Sequence, residues 1–137
     1  MIRYVVAYFA CALVFLAMDA AWLSQMASRV YKPALGDMII DGFRPAPAAA
    51  FYLIYMLGLV AMAVAPALAE GDWRRAAMSG AMYGFFAYAT YDLTNLATLR
   101  HWSLTVSLLD MGWGAVVSGV SAAAGFAAAS WIKAGSI

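Results

Sequence analysis

Residues 4–24 read YVVAYFACALVFLAMDAAWLS, with Asp19 as the one charge. A helix crossing a bilayer needs about 20 apolar residues, and this run supplies them. It continues past Asp19 to Trp22 and Leu23. An aromatic boundary of that kind suits an interfacial anchor rather than a signal-peptide cleavage site, so the run reads as a retained span. Three more runs follow the same pattern, over 46–68, 75–99 and 104–132. Pro45 and Pro47 stand at the first turn of the second run, where a missing N–H costs little. Trp131 and Lys133 close the fourth at an interface.

Composition agrees with four spans. The chain has 137 residues, 66% hydrophobic and 11% charged, with a mean hydropathy of +0.82. Soluble domains carry about 25% charged residues. The expected fold is therefore all-α: one polytopic membrane domain over 1–137, a four-transmembrane-helix bundle. A net charge of +1 gives no field to attract nucleic acid. One cysteine, Cys11, excludes an internal disulfide and a CxxC pair, and His101 is the one histidine. No cofactor and no metal centre is implied.

The connections differ in kind. Glu70-Gly71-Asp72 and Arg100-His101-Trp102-Ser103 are tight turns, so spans two and three, and spans three and four, should be antiparallel neighbours. Residues 25–44 mix apolar and charged side chains, and Pro33, Gly36 and Gly42 interrupt them. They suit either an amphipathic segment in the interface or a plain loop. Four spans put both termini on one side. Lysines and arginines tie at four per side, and the N-terminal amine tips the termini toward the cytoplasm. The expected location is a bacterial inner membrane, with the lipid bilayer as first partner.

Of eight basic and seven acidic residues, only three acids fall inside spans. A charge near the bilayer centre costs about 2.5–3.5 kcal/mol on insertion scales. Asp19 lies about 8 Å inside the end of span one and Asp92 about 10 Å inside the end of span three. Asp110 lies about 9 Å inside the start of span four. All three sit at one depth, away from the termini. At 100° per residue, Tyr4, Tyr8, Phe15, Asp19 and Trp22 share a face of span one. Gly84, Tyr88, Asp92 and Asn95 share one on span three. Asp110 continues into Gly114, Val117, Ser121, Gly125 and Ala128, a small-residue stripe suited to close packing. Gly80-x-x-x-Gly84 is a second candidate contact.

These positions point to a polar pocket open toward one leaflet. Asp19, Asp92 and Asp110 would be its ionisable groups, Tyr88 and Asn95 would orient a ligand, and Trp22 and Trp113 would form walls. The bland alternative is that each acid bonds a neighbouring helix and fixes packing. An Asp-x-x-x-Leu pattern repeats at Asp19–Leu23 and Asp92–Leu96, as a duplicated two-span unit would leave.

The run Tyr91-Asp92-Leu93-Thr94-Asn95-Leu96-Ala97-Thr98-Leu99 carries a further message. With Asp19-Ala20-Ala21-Trp22-Leu23, Phe51-Tyr52-Leu53-Ile54-Tyr55 and Asp110-Met111-Gly112-Trp113-Gly114, it resembles the predicted bacterial membrane-protein family catalogued as domain of unknown function 2177. The resemblance spans nearly the whole chain. It implies a four-helix inner-membrane protein and brings no activity with it.

Three functions fit the sequence. The first is binding or transport of a small solute, ion or lipid-like molecule at the aspartates. The second is a membrane-embedded enzyme acting on lipid or isoprenoid substrates, with the acids as general acid/base or Mg²⁺ ligands. The third is an accessory subunit of a membrane complex. A homo-oligomer is compatible with each, because four short helices enclose little interior.

Overall fold

A computed structural model describes residues 1–132. Its architecture is four helices: α1 (Ile2–Met38), α2 (Pro45–Glu70), α3 (Trp73–Thr98) and α4 (Leu104–Ser130). Among the described residues there is no strand. α1, α2 and α4 are long and apolar enough to cross a membrane. α3 has 26 residues, as many as α2, but its second half carries Tyr88, Tyr91, Asp92, Thr94, Asn95 and Thr98. Lys133, expected to anchor the last span, lies outside the described residues.

Local chemistry sets the helix ends. Gly71 adopts a left-handed conformation (φ 73°) that closes α2, a geometry glycine takes without steric cost. One residue later Asp72 caps α3, its carboxylate accepting from the Arg74 amide at 2.9 Å. Ser103 caps α4 in the same way through the Val106 amide.

The first connection differs from the sequence expectation. Residues 25–35 continue α1 as helix; Gly36 (φ 54°) breaks it, and a short 3-10 turn leads into the loop over 39–44. The helix passes Pro33 because the turn before it, Ala27–Tyr31, widens to π geometry. Proline has no N–H and its ring displaces the carbonyl four residues back. For Pro33 that carbonyl belongs to Arg29, inside the wide turn. α2 repeats the device: Val60–Val64 is π-helical, and Met62, four residues before Pro66, lies inside it. Each extra residue is absorbed without ending the helix.

α4 is the central element, packed along its length by α3 and also by α1. Gly80 and Gly84 make the α3–α4 approach as anticipated. A Cβ on Gly80 would stand 2.7 Å from the Ser118 carbonyl oxygen, and one on Gly84 would strike the Gly114 carbonyl. On α1 the buried stripe is Ala7, Cys11, Phe15 and Asp19. It is rotated from the predicted face, and Tyr4 is 50% exposed.

α2 packs differently at its two ends. Its second half, Val60–Glu70, lies against α3, while Pro45–Leu59 makes almost no close backbone approach to it. Tyr83 spans the divergence, its hydroxyl donating to the Tyr55 carbonyl at 3.3 Å. Beyond that level the two helices part, on the side of the membrane that holds the acids.

Candidate functional site

Each acid is delivered by a different helix. Asp19 ends the buried stripe of α1. Asp92 ends the α3 stripe that begins at Ala76, Gly80 and Gly84. Asp110 lies one turn before Gly114 on α4. Four-residue spacing puts each acid on the core face, because successive i+4 positions stack along one side of a helix.

Aromatic side chains join them. Asp19 accepts from the Tyr52 hydroxyl at 2.6 Å and from the Trp113 indole N–H at 3.3 Å. The Trp113 ring stacks on Trp22, with centroids 4.4 Å apart and planes within 7°. Trp22 donates through Nε1 to the Tyr31 oxygen at 2.8 Å, and the Tyr31 hydroxyl donates to Asp110 Oδ1. Asp92 and Asp110 are neighbours, with no hydrogen bond between their side chains among the described residues. Asp19 and Asp110 are thus linked in series through aromatic side chains, and Asp92 stands next to Asp110 outside that chain of contacts. Among the described residues no group of three or more His, Cys, Asp or Glu side chains is arranged to hold a metal ion.

The acids are unequally satisfied. Asp19 has two donors. Asp110 has one, on one oxygen. Asp92 is 0% exposed, and neither of its carboxylate oxygens has a hydrogen-bond partner among the described residues. Among the described residues no lysine or arginine pairs with any of them: the one ion pair found there, Arg75 with Glu70, lies on the surface at the other end of the bundle. Buried carboxylates are ordinarily paired or hydrogen-bonded, because the uncompensated group is expensive.

A cleft opens where α2 and α3 part. It encloses about 430 Å³ and is lined by Phe51, Tyr55, Ala87, Tyr88, Tyr91 and Asp110. A volume of that order suits a small molecule. Asp110 is its one acid; the other lining groups are aromatic rings and a methyl. Tyr88 packs its ring on Gly114, where a Cβ would collide with it. Tyr55 turns its hydroxyl to Ser118 Oγ at 2.7 Å, so its ring is what the cleft presents.

Of the seven residues singled out from the sequence, Asp110 and Tyr88 line the cleft, and Asp92 stands next to Asp110. Trp22, Trp113 and Asp19 form the relay beside it and not its walls. Asn95 lies beside Tyr91 and makes no side-chain hydrogen bond to the acids among the described residues. Sequence reasoning missed Tyr31, Tyr52, Tyr55 and Phe51. The last three belong to the Phe51–Tyr55 run already quoted. Tyr31 was hidden by helix geometry: nine residues at 100° each place it opposite Trp22. The extra residue in the wide turn sets that rotation back by about 100° and returns it to the same side.

The family model described as "Predicted membrane protein (DUF2177)" matches residues 4–127. The chain belongs to this family. The region matched to DUF2177 contains every residue of the acid–aromatic chain and the cleft. No curated protein and no solved structure matches the chain.

Proposed function

We propose that this membrane protein binds a small solute or lipid-like molecule in the α2–α3 cleft and carries it between the bilayer and one membrane face. One observation supports this above the others. An aromatic cleft ends on Asp110, beside which stands a buried carboxyl group with no partner among the described residues. Packing alone gives no reason to retain Asp92, since an apolar residue there would spare the cost of a buried unpaired acid. Polar groups inside membrane spans that face a cavity mark ligand or ion pathways.

The test is native mass spectrometry of the protein taken from its own membranes in lipid nanodiscs. A bound molecule should accompany the native chain and be absent from Ala87→Trp, whose indole would fill the cleft. Identical spectra for the two would refute the reading. We also propose residence in a bacterial inner membrane with cytoplasmic termini. A green fluorescent protein fused to the C-terminus should then fluoresce, and alkaline phosphatase fused there should stay inactive; the reverse pattern would invert the topology.

A further inference from the structure

We infer that the cleft recognises the ammonium head of a single-chain cationic amphiphile, which enters sideways from the lipid between α2 and α3. This rests on the binding reading above and names its ligand class.

The route follows from depth. Phe51 is about 9 Å inside the start of α2, and Tyr91 about 10 Å inside the end of α3, at 1.5 Å per residue. Both are exposed, at 43% and 57%. Surface exposed at that depth faces acyl chains rather than water. The gap between the diverging helices therefore opens into the bilayer, and an occupant can leave its chain there while its head reaches Asp110.

The head group follows from charge and hydrogen-bond capacity. Asp110 gives one oxygen to Tyr31 and leaves the other without a donor among the described residues. Its neighbour Asp92, buried outside the cleft lining, leaves both of its oxygens without one. An ammonium group brings three N–H donors and a positive charge. It supplies both of the things that the pair lacks. The surrounding rings of Tyr88, Tyr91, Tyr55 and Phe51 add favourable faces for a cation. A neutral alcohol offers one donor and no charge, and an anionic head meets two acids.

The test compares decylammonium, decanol and decanoate, radiolabelled, on phosphatidylcholine nanodiscs that contain the protein and on empty ones. Retention above the empty discs should be about tenfold tighter for decylammonium than for decanol, with decanoate not retained. The preference should collapse in Asp110→Asn and in Asp92→Asn; the second variant serves if the first does not fold. Ala87→Trp should lose both ligands. Equal binding of decanol and decylammonium, both lost in Ala87→Trp, would overturn the ammonium assignment and leave the cleft as a lipid site. No retention of any probe above empty discs would overturn the cleft reading as well.

Discussion

The two ends of this bundle are built from the same four helices on opposite principles. Toward the termini, Ala7, Cys11, Ala63, Ala67, Gly125 and Ala129 close the interior with small side chains. Cys11 fits against Gly125 and donates through Sγ to the Ser121 carbonyl at 3.2 Å. The Ser121 hydroxyl is the one buried side-chain polar atom left unpaired at that end among the described residues. At the other end the seam opens. Large aromatic rings replace alanines, three acids enter, and α2 leans away from α3. Membrane helices gain their affinity from close backbone approach, so the terminal half holds the fold together. The acid half gives up that contact and keeps acidic groups whose burial costs stability.

Breaking the tight half should have the largest effect. In Gly80→Ala the new methyl meets the Ala122 methyl at 2.6 Å and the Ser118 carbonyl at 2.7 Å. Neither can yield without moving a helix. Thermal unfolding in detergent should show a loss of about 2–3 kcal/mol.

The relay comes next. Tyr52→Phe removes one of two donors to Asp19, and a hydrogen bond to a charged group contributes about 1.5–3 kcal/mol. The same measurement should show a loss of about 2 kcal/mol. Because Tyr52 does not line the cleft, decylammonium should still be retained. Loss of retention with unchanged stability would move Tyr52 from the scaffold into the site.

Cys11→Ser should have the smallest effect. Serine keeps a donor for the Ser121 carbonyl and nearly the same volume, so stability should change by less than about 1 kcal/mol. A larger loss would mean that sulfur packing against Gly125 matters more than the hydrogen bond.

The same contrast explains what the sequence could reveal. Apolar runs and tight turns follow from local composition, so the four helices were legible, all but the far end of α1 to within a few residues. So were Gly80 and Gly84, because small residues four apart have one obvious use in a membrane helix. The acids were legible because charge inside a span is costly wherever it falls. Their partners were not. Tyr31 lies beyond the predicted span, and only the wide turn ahead of Pro33 rotates it toward Asp110. Trp22 and Trp113 read as pocket walls, yet their stacking is a pairing between α1 and α4 that neither helix encodes alone. The cleft depends on the divergence of α2 from α3, a property of three packed helices that no single periodicity carries.

The central claim is that the acid half is kept for a ligand at the expense of stability. It is tested most directly by the unliganded melting temperature of Asp92→Asn beside that of the native protein. The amide removes a buried ionisable group that has no partner among the described residues, and brings N–H donors beside Asp110. A rise equivalent to about 1–2 kcal/mol is expected. A fall as large as that of Tyr52→Phe would show Asp92 to be a packing device and contradict the account.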